Sequence, residues 1–171
     1  WLRAALERAP QRQPVRLGIV LPIGGAPHRL AEGGRGPCRI DDGALLVPPN
    51  RVGPAITAFL KTRAQARIAP VAHAAAERLG RQIGRMSFRD TRSRWGSCTS
   101  RGDLAFSWRL AMAPPEVQDY VALHEAAHLV EMNHGPRFWA LVAQLCPDHV
   151  ARREWLRREG ARLQAYAFDA G

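Results

Sequence analysis

The sequence predicts a single α+β domain, on three observations. Apolar residues recur at spacings of three and four over residues 54–83 and again between residues 115 and 166, the period of amphipathic helices. Between these stretches Leu104, Phe106 and Trp108 alternate with Ala105, Ser107 and Arg109, the period of a half-buried strand. Residues 14–49 break into short apolar runs separated by turn residues. At 171 residues the chain can build one real core and is short for two. Residues 1–50 read as a β-rich N-terminal appendage of the same domain, and residues 51–171 as the part that carries the chemistry.

The elements follow in order. Residues 15–23 are apolar with Gly and Pro punctuation, and Gly24-Gly25-Ala26-Pro27 is a turn. Asp42-Gly43, between Cys38-Arg39-Ile40 and Leu45-Leu46-Val47, signals a hairpin, and Pro48-Pro49 closes the section. Ile56, Phe59, Leu60, Ile68, Val71, Ala72, Ala75 and Leu79 then mark a helix over residues 54–83, which Pro70 is expected to kink or split. Gly84 ends it. Met86, Phe88 and Trp95 flank an Arg-rich segment, and residues 99–103, with Gly102, form the turn of an antiparallel hairpin. Pro114-Pro115-Glu116 opens a helix where proline costs least and an acid suits the dipole, running to about Met132. Gly135-Pro136 starts another through Cys146, and Pro147-Asp148 a last one to about Tyr166.

Composition narrows the class. Hydrophobic residues make up 46% of the chain, too many for a disordered segment, and no apolar run approaches the roughly 18 residues of a membrane span. The first residue is Trp1 rather than Met, which reads as a trimmed chain, and no apolar region follows Arg3 as a signal peptide requires. Cys38, Cys98 and Cys146 are odd in number and lack CxxC spacing, so reduced thiols in a cytoplasmic protein fit best. The net charge is +10, with Lys61 the only lysine. The arginines are spread along the chain rather than gathered in a tail, the pattern of GC-rich coding. A basic surface that meets nucleic acid is the second reading.

The chemistry lies in His124-Glu125-Ala126-Ala127-His128. Residues four apart share one helix face, so both imidazoles point at one place, as a tetrahedral zinc requires at about 2.0–2.1 Å. Glu125 reaches a water on the metal without ligating it and serves as general base for attack on a polarised carbonyl. Ala126 and Ala127 leave room for metal and substrate. A third ligand is needed, and His134 is six residues on, where Asn133 and Gly135-Pro136 stop the helix and let the chain turn back. That spacing equals the metzincin one, with Glu131 in place of their turn glycine. The competing gluzincin scheme takes a glutamate from a later helix, here Glu154 or Glu159, both in an Arg-rich segment that reads as surface. A buried but merely hydrogen-bonded histidine pair is the bland alternative. His28, His73 and His149 are isolated and receive no role.

Around this motif, Arg94-Trp95-Gly96-Ser97-Cys98, the run from Leu104 through Leu110, Ala113-Pro114, Tyr120-Val121, Asn133-His134-Gly135 and Phe138-Trp139 stand in order. Together they resemble the YgjP-type metal-dependent hydrolases, relatives of the WLM and SprT-like zinc metallopeptidases, over roughly residues 50–165. The resemblance implies a compact zincin: a helical segment, a small antiparallel sheet, the active-site helix and C-terminal helices. It implies one zinc per chain on His124, His128 and His134, with Glu125 catalytic and a polypeptide as substrate. Ser107 stands where the family often has Asn, and Gly135 where it often has Ser.

The Arg-Trp-Gly-Ser-Cys segment has two readings. As a strand beside the active-site helix it can pair with an extended peptide, Arg92 or Arg94 meeting carbonyls or an acidic side chain and Trp95 lining the site. Structurally, Trp95 is core, Gly96 a bulge and Cys98 a small buried residue. Phe138 and Trp139 read as core. The alternative function is a basic nucleic-acid module with a structural or vestigial zinc, or a protease recruited to DNA.

Overall fold

A computed structural model describes residues 10–169. Trp1 to Arg3, on which the signal-peptide expectation rests, lies outside the described residues. The chain runs β1 (Gln13–Pro14), β2 (Val20–Ile23), β3 (Ala26–Glu32), β4 (Arg39–Asp41), β5 (Ala44–Val47), α1 (Val52–Arg78), β6 (Met86–Arg89), β7 (Gly96–Cys98) and β8 (Leu104–Ser107). A 3₁₀ turn (Trp108–Met112) follows, then α2 (Pro115–Ala127), α3 (Pro136–Leu145), α4 (His149–Ala165) and β9 (Tyr166–Ala167). The α+β class holds. Among the described residues no helix is long and apolar enough to cross a membrane.

The N-terminal sheet has the order β2-β3-β5-β4. Its β4–β5 hairpin turns on Asp42 and Gly43, at φ 45° and 75°, the paired positive angles of a two-residue turn that Asp-Gly favours. Gly24-Gly25 turns β2 into β3, and this tip is seated on the rest of the molecule. The N–H groups of Gly24 and Gly25 donate to the carbonyls of Ala111 (2.8 Å) and Met112 (3.0 Å). At Gly25, φ is +80° and a Cβ would lie 2.9 Å from Cγ of Pro114, the residue that leads into α2. The sheet therefore braces the entrance to that helix.

Helix α1 lays Ile56, Leu60, Ala64, Ile68 and Ala72, all fully buried, along α2. Pro70 does not split it. The proline and Ala66, whose carbonyl it leaves without a helical donor, are both exposed, so that carbonyl is not buried unpaired and the buried row continues. The helix stops at Arg78 rather than residue 83, because Gly80 adopts φ +64° and the Arg81 N–H reaches back to the Ala76 carbonyl at 2.9 Å.

The second sheet has the order β6-β8-β7. β7 and β8 form the expected antiparallel hairpin, closed by Thr99 N–H to Asp103 O at 3.0 Å. β6 joins β8 in parallel, so the sheet is mixed rather than antiparallel. The predicted alternation through Arg109 also breaks: the Ser107 hydroxyl accepts the Arg109 N–H at 3.3 Å and caps a 3₁₀ turn. That turn buries Arg109 to 1% exposure. Its guanidinium donates to Asp90 (2.6 and 3.1 Å) and to the carbonyls of Leu163 (3.0 Å) and Tyr166 (2.8 Å), tying the end of β6 to the end of α4.

Candidate metal centre

Helix α2 lies in the core, so both of its histidines enter the site buried, His124 at 6% and His128 at 7% exposure. The helix ends at Ala127, not near Met132. The N–H groups of His128, Leu129 and Val130 bond three residues back, to Glu125, Ala126 and Ala127, which tightens the last turn. The chain can then fold back within six residues. His134, exposed, places its Nε2 at 3.3 Å from Nε2 of His124 and 3.1 Å from Nε2 of His128.

These distances fit a metal. Two nitrogens bound tetrahedrally at 2.0–2.1 Å stand about 3.3 Å apart. Three imidazole nitrogens lie within 4.8 Å of one another. The outer atoms are also prepared: Nδ1 of His128 donates to the Glu131 carbonyl at 2.9 Å, and Nδ1 of His124 faces the Tyr120 hydroxyl at 3.3 Å. With Nδ1 carrying the proton in both, Nε2 presents a lone pair. Burial, reinforced by the neighbouring histidines, pushes His124 down to about 3, and burial lowers His128 and His134 as well. All three are therefore poised as neutral ligands. Phe138, fully buried, stacks on the His128 ring at 4.3 Å between centroids and touches the other two rings at 4.9 Å.

Glu125 is 5% exposed and lies against β7, at Gly96. Burial raises its carboxyl to about 8, opposed by the charge of Arg94. It lines a cleft with His124, Tyr120, Trp95, Gly96 and Leu156. Gly96 is there for space: a Cβ would come within 2.8 Å of Glu125 Oε1.

The remaining sequence candidates separate. Trp95, 7% exposed, is both core and cleft wall. Arg94 is exposed, with its charge felt by Glu125. Arg92 is exposed, its charge acts on Asp169, and it is not among the residues that line the cleft. Glu154 and Glu159 pair with Arg157 (2.6 Å) and Arg158 (3.1 Å), and neither joins the histidine cluster. Phe138 is core as read, whereas half-buried Trp139 packs 5.7 Å from the His124 ring and 6.0 Å from the His134 ring. The sequence reading gives no site role to Tyr120 and Leu156, which line the cleft, or to Arg153, whose Cζ lies 4.8 Å from the Trp139 ring centroid. Tyr120, four residues before His124 on one helix face, carried a usable signal; the two on α4 did not.

A family model described as YgjP-like, metallopeptidase domain, matches residues 3–159. No curated protein matches the chain. Among solved structures it is similar to the metallopeptidase zymogen of Pyrococcus abyssi abylysin, at 22% identity and a TM-score of 0.48, over 57% of this chain and 95% of that one.

Proposed function

The chain belongs to the YgjP-like metallopeptidase domain family, and on that premise we propose that it is a zinc-dependent peptidase whose metal is held by His124, His128 and His134 and whose general base is Glu125. The observation that carries the reading is the convergence of three Nε2 atoms, from α2, its C-terminal cap and the loop after it, in one site with the buried Glu125 carboxyl. A bound zinc supplies Lewis acidity, acidifying a water and polarising the scissile carbonyl. Everything else falls to the chain. The Glu125 carboxylate accepts the water proton and returns it to the leaving amine, its raised affinity for protons suiting both halves of that exchange. Tyr120 keeps His124 in its binding tautomer.

β7 supports a polypeptide substrate. It is the outer strand of its sheet, hydrogen-bonded to β8 along one side, and it runs beside Glu125. An extended peptide added along its other side would bring a backbone carbonyl to the histidines, with Arg94 near its rim.

Elemental mass spectrometry tests the reading. The wild type should carry about one zinc per chain, His134→Ala should lose most of it, and Glu154→Ala should keep it. Glu125→Gln should keep the metal and lose cleavage of unstructured protein. Zinc lost on Glu154→Ala but kept on His134→Ala would move the site to a glutamate scheme; cleavage retained by Glu125→Gln would remove the general base.

A further inference from the structure

One face of α4 packs against Trp139 and Trp95 and contributes Leu156 to the cleft. His149 stacks on Trp139 at 6.0 Å between ring centroids, Arg153 places its Cζ 4.8 Å from the Trp139 centroid, Leu156 lines the cleft, and Gly160 lies against Trp95. The spacings of four, three and four put these residues in one row along the helix. Arg153 is the cation of that row. Trp139 holds it, and the same ring packs on His124 and His134.

The charges are divided across the site. Glu125 lies on the β7 side, against Gly96, and the cation acting on it is Arg94. Arg153 lies on the Trp139 side, and its charge reaches Tyr120, His124 and His134. A base held against β7 and a cation held on Trp139, both beside the histidines, supply the two groups that carbonyl addition needs. The base removes a proton while the cation meets negative charge.

We propose that the Arg153 guanidinium, held on the face of Trp139, donates a hydrogen bond to the carbonyl oxygen of the scissile peptide as that oxygen becomes an oxyanion. The inference rests on the peptidase reading. As the water oxygen bonds to the carbonyl carbon, its proton passes to Glu125 and the C=O π pair moves onto the oxygen facing Arg153. Collapse restores the C=O bond, the C–N bond breaks, and the proton passes from Glu125 to the amine. Arg153 donates a hydrogen bond to the reacting oxygen, transfers no proton, and is a catalytic residue on that contact.

The test compares wild type, Arg153→Met, which keeps an unbranched apolar chain beside Trp139 and removes the guanidinium, and Arg153→Lys, all zinc-loaded. Two readouts are used: kcat and KM on an internally quenched peptide, and the affinity of a phosphinic peptide, which mimics the tetrahedral oxyanion, by calorimetry. Arg153→Met should retain zinc, lose about 100-fold in kcat with KM within threefold, and bind the phosphinic peptide about 100-fold more weakly. Arg153→Lys should recover part of both. A rise in KM at unchanged kcat would overturn the proposal in favour of ground-state binding, such as capture of a substrate carboxylate. Zinc loss in Arg153→Met would reduce the residue to a structural one. A wild type that holds zinc and cleaves nothing overturns the peptidase reading alone, since phosphinic-peptide affinity still decides whether Arg153 receives the anion; unchanged affinity in Arg153→Met, or no binding by the wild type, overturns the proposal.

Discussion

The α-carbon of Gly96 faces Glu125 so closely that a methyl group added there would lie 2.7 Å from Cγ and 2.8 Å from Oε1 of the carboxylate. Such contacts do not occur between real atoms, so either the strand or the glutamate must move. Glu125 has little freedom, being 5% exposed on a core helix.

Gly96→Ala should therefore keep zinc stoichiometry and lose roughly 10- to 100-fold in kcat through displacement of Glu125, with a stability cost of about 1–3 kcal/mol. Gly160→Ala is the matched control. Its added carbon meets the edge of Trp95 at 3.2 Å, a contact that a ring can relieve by a small shift, and it lies away from the carboxylate. Peptidase assays and thermal melts on both variants check the contrast; equal activity losses would show general crowding of the cleft.

What could be seen in the sequence followed from short-range periodicity. The four-residue spacing of His124 and His128, the Asp42-Gly43 turn, and the helices expected from Gly135-Pro136 and Pro147-Asp148, which begin at Pro136 and His149, all depend on neighbours along the chain. The parallel pairing of β6 with β8 depends on packing between segments, which periodicity does not report. The same is true of the return of His134 to the histidine cluster after the early end of α2, and of Arg153, whose neighbour Trp139 comes from another helix. The split expected at Pro70 does not occur for the opposite reason: its local penalty is real, but the fully buried Ile68 and Ala72 around it hold the helix together.

Cys98 should be an unreactive thiol. Burial, with the charges of Glu125 and Asp103 behind it, pushes it up to about 11, from 9.0 in an open chain. At pH 8 its thiolate fraction falls about 100-fold below that of an unfolded cysteine, so iodoacetamide should modify Cys98 about 100-fold more slowly in the folded protein than after denaturation. Peptide mapping by mass spectrometry reads the rate directly. Fast alkylation at neutral pH would mean that the strand carrying Cys98 opens readily or that the thiolate has a cationic partner.

Arg109 and Asp90 should respond unequally to mutation. The arginine is 1% exposed, whereas the aspartate side chain is 38% exposed. Asp90→Ala leaves a buried guanidinium with only the Leu163 and Tyr166 carbonyls, which should cost about 3 kcal/mol. Arg109→Met removes the buried charge, leaves Asp90 to water and keeps the volume between Trp108 and Phe168, so about 1–2 kcal/mol is expected from the two unpaired carbonyls. Urea unfolding of the two variants would settle the order.

Glu125 makes stability of the metal-free protein depend on pH in a direction opposite to that of most carboxylates. Burial holds its carboxyl at about 8, above the 4.5 of an open chain. Between those values the folded chain binds a proton that the unfolded chain has released. The stability this adds is complete below pH 4.5 and is lost as pH rises through 8. Glutamine in its place cannot titrate. In the presence of chelator, Glu125→Gln should therefore melt above the wild type at pH 9 by roughly 5 °C or more, and the gap should close as the buffer approaches pH 5. Protonation of the histidines below pH 6.5 destabilises both proteins alike and drops out of the comparison. A gap that stays constant from pH 5 to 9 would mean that the Glu125 carboxylate is solvated in the metal-free fold, and with it the cleft floor between β7 and α2.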